Sequence, residues 1–217
     1  MGLGLASAGG AEAVRTPIRF FLGLGSRYSY LAATRIADVA ARHSRAVEWL
    51  PLYSPDLIAR AGADPFSGAP PSPQYAPEYR ARDVQRWAAL YGVPFVEPNS
   101  EGVDWRAAAF AAVAAARLGH AEPFVRAFYA KTFGEGRPPR GRDELLAIAR
   151  AAGVDRSAFG AELDSADLHA HHDTAVRAAL EIGAFGVPTF VVDGELFWGN
   201  DRLVLLEHHL AAKSASH

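Results

Sequence analysis

The stretch Gly186-Val187-Pro188-Thr189-Phe190-Val191-Val192-Asp193-Gly194-Glu195-Leu196-Phe197-Trp198 constrains the fold more than any other part of the chain. Asp193-Gly194, with Phe190, Val191 and Val192 before it and Leu196, Phe197 and Trp198 after it, spells a two-residue hairpin turn. Pro188 opens the first strand of that hairpin. A proline cannot donate to a sheet ladder, and this strand reads as central, so a special backbone geometry is expected there. The alternative is an ordinary trans proline at an edge or a turn.

Upstream, residues 18–23 read as a strand and residues 26–43 as one helix, with Tyr30, Leu31, Ile36, Val39 and Ala40 near helical spacing. Residues 46–50 alternate and end at Pro51, a second strand. Two strands joined by a helix form a right-handed unit with parallel strands. Residues 62–77, rich in Pro, Gly and Ser, read as a loop. Helices are then expected at 75–91, 104–118, 121–132, 142–152, 155–164 and 167–182, several stopping at a glycine. A last helix covers 200–210.

Composition removes several chemistries. The 217 residues include no cysteine, which excludes disulfides, dithiol redox chemistry and thiolate metal sites. A formal charge of −2, with no basic run, argues against a nucleic-acid partner. No run of apolar residues is long enough for a membrane span. Residues 1–16 lack the positive and sustained apolar regions of a secretory leader and read as a disordered extension. His169, His171, His172 and Asp173 do not converge on a helix as i, i+4 ligands do, so no metal is expected; a polar, solvated helix start is.

The order βαβ, helices, ββα is an α/β arrangement, a thioredoxin-like fold with a large all-helical insertion. On this reading 17–73 and 177–217 form the thioredoxin-like domain and 74–176 the insertion. The segments SRYSYLAATR (26–35), YRARDVQRWAALYGVPF (79–95) and GAFGVPTFVVDGELFWGNDRL (183–203) together resemble the glutathione-dependent branch of the DsbA-like superfamily. The similarity is to 2-hydroxychromene-2-carboxylate isomerases, with kappa-class glutathione transferases as neighbours, and runs from about 18 to 211. It implies a glutathione-dependent isomerase acting on an aromatic carboxylate, with a kappa-like transferase as the alternative. It also implies a cytoplasmic homodimer. A third reading, from another class, is a cysteine-free binding module without catalysis.

The resemblance aligns Ser26 with the serine taken to hold the glutathione thiol, and implies a cis bond before Pro188 that frees the main chain of Val187 for the cysteinyl residue. Asn200 and Asp201 would face the γ-glutamyl end. Arg27 stands where the family usually has proline, and Asp104 where its isomerases often carry Asn. Arg27 is a candidate clamp for a substrate carboxylate. Tyr28, Tyr79, Asp83, Trp87, Asp104 and Trp198 are candidates for the substrate pocket; Tyr79, Asp83 and Trp87 share one helix side.

The residue types suit that chemistry. A helix N-terminus favours an anion. A serine is not ionised near neutrality without a base, and no base is adjacent. Ser26 therefore suits a hydrogen-bond donor to a thiolate that a cosubstrate brings. Donor and dipole together lower a thiol pKa of about 8.5 by a unit or more. Ser26, Asn200 and Asp201 also suit plain helix capping, which is compatible with those roles.

Overall fold

The computed structural model describes residues 15–62, 65 and 68–215. The extension expected at 1–16 lies almost wholly outside them, as do residues 63, 64, 66 and 67 of the expected loop. At the centre is a four-stranded sheet, β1 (Ile18–Gly23), β2 (Val47–Leu52), β3 (Thr189–Val192) and β4 (Glu195–Trp198), in the order β2-β1-β3-β4. β1 runs parallel to β2 and antiparallel to β3, which pairs antiparallel with β4.

β1 is the spine because it can bury both of its faces. Phe20 and Leu22 enter one core, where Phe20 stacks on Phe190 and meets Trp49 edge-on, while Phe21 enters a second with Leu52, Leu57 and Val176. Pro51, expected to end β2, lies inside it, paired with Leu22. The sheet tolerates this because β2 is an edge strand with a free side. The hairpin turn has φ of 51° at Asp193 and 83° at Gly194, the left-handed pair that a tight turn of this kind requires. Arg45 forks onto Asp193 at 2.9 and 3.2 Å and ties the turn to the start of β2.

The helix expected at 26–43 is two helices, α1 (Arg27–Ala33) and α2 (Ile36–Arg42). Side chains break it: Thr34 Oγ1 donates to Leu31 O at 2.7 Å, and Arg35 reaches Tyr91 O at 3.0 Å with its guanidinium over the Tyr91 ring. Helix α3 (Ser54–Ala61), with Pro55 in its first turn, has no counterpart among the sequence expectations. After a 3-10 turn at Pro73–Tyr75 come α4 (Pro77–Tyr91), α5 (Trp105–Arg117), α6 (Ala121–Tyr129), α7 (Arg142–Ala151), α8 (Arg156–Leu163) and α9 (Leu168–Glu181). The boundary drawn between 176 and 177 therefore falls within a continuous helix. A second 3-10 turn, Asn200–Arg202, precedes α10 (Leu203–Ala215).

The alanines of α5 let it sit deep, packed against β2, α6, α8 and α9 with Ala108 through Ala115 all buried. A helix buried on every side lacks a polar stripe, which is how α5 reads. A π turn at Ala130–Gly134 continues α6 and carries Phe133 inward. Just before it, the buried Tyr129 donates from its hydroxyl to Gly23 O at 2.9 Å, joining the helical layer to the end of β1. Tyr129→Phe is expected to lower stability by about 1 kcal/mol. The loss stays modest because Gly23 O keeps a second donor, Ser26 N. Urea denaturation checks this.

Candidate active site

The turn that follows β1 is built around the main chain of Gly23. Its carbonyl accepts from Ser26 N at 3.0 Å and from Tyr129, and its N–H donates to the buried Ser29 Oγ at 3.3 Å. Burial pushes the Tyr129 phenol far above its ordinary range, so it stays a donor. Ser26 sits at the head of α1 with extended backbone, and its Oγ accepts from Ser29 N at 3.1 Å. Capping uses only a lone pair of that oxygen. The hydroxyl proton has no acceptor among the described residues and is free to be donated. Because α1 has seven residues, few aligned peptides stand behind Ser26.

Across the turn lies the Val187–Pro188 peptide, which is cis. Thr189 Oγ1 donates to Gly186 O at 2.7 Å and Gly199 N to Pro188 O at 2.9 Å, which pins the residues on either side. The N–H and C=O of Val187 have no partner among the described residues. Glycines allow these segments to meet. A Cβ on Gly23 would lie 3.0 Å from Ser54 Oγ and 3.1 Å from Val187 Cγ2, and one on Gly25 would lie 3.2 Å from the Trp105 ring. Gly186 gives way to Trp198, whose Nε1 would be 2.8 Å from a Cβ there.

Asn200 and Asp201 form the 3-10 turn that packs against α1, so the last motif is brought to the same helix as Ser26. Asn200 is not the side-chain cap its position suggested: it is 3% exposed, its main-chain O accepts from Tyr91, and its Nδ2 is buried without a partner among the described residues. Trp198 Nε1 is also buried and unpaired. Asp201 pairs with Arg202 at 2.9 Å.

On the α4 side, Tyr28 donates to Asp83 Oδ2 at 2.9 Å, and burial, reinforced by that bond, drives its phenol well above the ordinary range. Arg27 pairs with Glu97 at 2.8 Å rather than pointing free, although the Glu97 side chain is 47% exposed. Arg80, unmarked in the sequence, belongs to the same group; burial and then the Arg27 charge lower its pKa. Trp87 is turned into the core beside Tyr91, and Tyr79 is 42% exposed. Asp104 caps α5 through Ala107 N at 2.8 Å and lies on the rim of a cleft of about 640 Å³ with Phe110, Arg140 and His169.

The stretch expected to be a solvated helix start is half right. His169 is exposed against the Phe110 ring, but His172 is 1% exposed and accepts from Tyr53 N at 3.0 Å. Among the described residues no group of side chains is arranged to hold a metal.

Comparison with known proteins agrees with this fold. The model of the DSBA-like thioredoxin domain matches residues 17–211. The chain belongs to the DSBA-like thioredoxin family. Within it, the chain is 34% identical over 196 residues to a 2-hydroxychromene-2-carboxylate isomerase of Sphingobium xenophagum, covering 89% of this chain and 97% of that protein. It is 31% identical over 198 residues to one of Pseudomonas putida, covering 88% and 92%. A solved structure of a 2-hydroxychromene-2-carboxylate isomerase superposes with a TM-score of 0.77 at 28% identity, covering 92% of this chain and 96% of that one.

Sequence reasoning missed Tyr129, Ser54, Trp105, Glu97 and Arg80, and read His172 as solvated. Only Trp105 carried a signal, an aromatic directly after the helix-capping Asp104. His172 yields a prediction. Burial lowers its pKa despite the nearby Asp56 and Asp173 carboxylates, so the folded chain holds it neutral. Unfolded, it takes up a proton near pH 6.5. Stability is full above that value and falls as pH drops below it, until the lower folded pKa is reached. His172→Gln is expected to flatten this slope, as read from denaturation midpoints at stepped pH.

Proposed function

We propose that the chain is a glutathione-dependent isomerase acting on an aromatic carboxylate, of the kind its 2-hydroxychromene-2-carboxylate isomerase relatives are named for. The observation that carries the reading is the Ser26 hydroxyl, held by Ser29 N, with its own proton uncommitted and no cysteine in the chain to supply a thiolate.

The polar groups around Ser26 fit glutathione. Val187 offers an unpaired N–H and C=O, the pattern by which an extended peptide adds to a sheet edge. Asn200 Nδ2 is an orphaned donor beside α1, and Asp201 supplies a carboxylate for an ammonium. Bound there, glutathione would supply a thiol nucleophile for reversible addition to the conjugated side chain of the substrate, the chemistry that permits rotation or ring opening with no net consumption of the thiol.

Each protein group then has a separate task. Ser26 donates to the sulfur and favours its anionic form. Val187 holds the main chain of the central cysteinyl residue and Asp201 the γ-glutamyl end, so that the sulfur is presented to the hydroxyl. Arg27 clamps the substrate carboxylate by exchanging Glu97 for it, an inexpensive swap because Glu97 is half exposed. Tyr28, kept protonated by burial and Asp83, remains a neutral wall beside Arg27. Trp105 covers Gly25 and gives the ring of the substrate an aromatic neighbour.

Two measurements test the reading. With an aromatic acceptor, glutathione is expected to be recovered unchanged after many turnovers; stoichiometric consumption would mean a transferase. Ser26→Ala is expected to lower kcat about a hundredfold while glutathione still binds, with about 1 kcal/mol of stability lost with the cap. Undiminished turnover would reduce Ser26 to a cap.

A further inference from the structure

Residues 52–56 leave β2 and enter α3 beside Gly23 and Val187, and side chains from α5 and α9 hold them. His172 Nε2 accepts from Tyr53 N at 3.0 Å, so Nδ1 carries the proton. That Nδ1 faces Asp56 Oδ2 at 4.0 Å and Asp173 Oδ1 at 3.7 Å, while the Phe110 ring stacks on the imidazole. Arg106 forks onto Asp56 at 2.7 and 2.9 Å and lies 4.3 Å over the Tyr53 ring; Arg60 pairs with Asp173 at 2.9 Å. Two helices, α5 and α9, thus grip one short turn.

What that grip fixes is the place of Ser54. Its Oγ and the Val187 Cγ2 lie 3.0 and 3.1 Å from where a Cβ of Gly23 would be. The Ser54 hydroxyl is half-buried and has no hydrogen-bond partner among the described residues. The Val187 side chain and the Ser54 hydroxyl therefore meet at the glycine whose carbonyl holds the main chain of Ser26.

We propose that Ser54 is a second hydroxyl contact for the tripeptide held at Ser26 and Val187, and that buried His172 positions it through Tyr53 N–H. The inference rests on the reading of that site as a glutathione site. A peptide laid along Val187 as an added strand would have as a neighbour the Ser54 hydroxyl, which meets the Val187 side chain at Gly23 and can give or accept whichever bond the tripeptide backbone lacks. His172 touches neither partner and acts only through the turn.

The test is calorimetric titration of the full chain with reduced glutathione. Ser54→Ala is expected to weaken binding about threefold to tenfold. His172→Leu, which leaves Tyr53 N–H unpaired, is expected to weaken it at least as much, and His172→Gln, whose amide oxygen can accept that N–H, to restore most of it. Ser54→Ala added to His172→Leu is expected to cost little more, because the two changes remove one contact. If the leucine variant fails to fold, as circular dichroism would show, Ser54→Ala and the glutamine variant still decide. Wild-type affinity in Ser54→Ala overturns the proposal while leaving the glutathione reading intact. Absence of glutathione binding by the wild-type chain overturns both.

Discussion

The main chain of Gly23 is the point on which the rest of the site depends. Its carbonyl accepts Ser26 N from the head of α1 and the Tyr129 hydroxyl from the end of α6, and its N–H is taken by Ser29 Oγ. One residue thereby joins β1, the helix that carries Ser26 and the helical layer. A buried carbonyl with two donors loses little when the sheet ladder ends, whereas an orphaned one costs heavily. The missing side chain matters equally: any Cβ at Gly23 would press on Ser54 and Val187. The turn is thus closed by hydrogen bonds on one side and by close packing on the other, and Ser26 inherits its position from both.

That inheritance separates two roles that the sequence alone left fused. A capping serine and a donating serine use different parts of one hydroxyl, the lone pair and the proton. Ser29 N takes the first and leaves the second. The arginine beside Ser26 has a different character. Arg27 is balanced by Glu97 on the segment between α4 and α5, and Arg80 is close enough for the charge of Arg27 to lower its pKa. A chain with a proline at that position would have no need of Glu97 as a counterion. Glu97 is the local adjustment that lets a cation stand beside Ser26 without being left uncompensated, while Arg80 adds a second positive charge to the group.

Much of the fold was legible because it depends on local chemistry. β-Branched and aromatic residues marked β1, alternation marked β2, Asp193-Gly194 marked the hairpin, and glycine stops marked the helices of the insertion. What escaped depends on partners distant in the chain. The break between α1 and α2 is made by Thr34 bonding Leu31 O and by Arg35 reaching Tyr91, a residue on another helix. Pro51 reads as a stop, yet an edge strand absorbs it. His172 looks solvated beside His171 and Asp173, and only the packing of α9 against α3 and α5 hides it. At the site, Ser26, Val187, Asn200 and Asp201 were read from motifs. Tyr129, Ser54 and Trp105 were not, since their relevance comes from where three separate helices end.

The central claim is that Ser26 donates to a thiolate which the chain itself does not contain. It is tested most directly by ultraviolet titration of the thiolate of glutathione bound to the wild-type chain and to Ser26→Ala. The account predicts that the bound thiol ionises about one unit or more below the free value of about 8.5, and that removing the hydroxyl returns it most of the way. A bound thiol that titrates like the free one, or an identical shift in both chains, would contradict it.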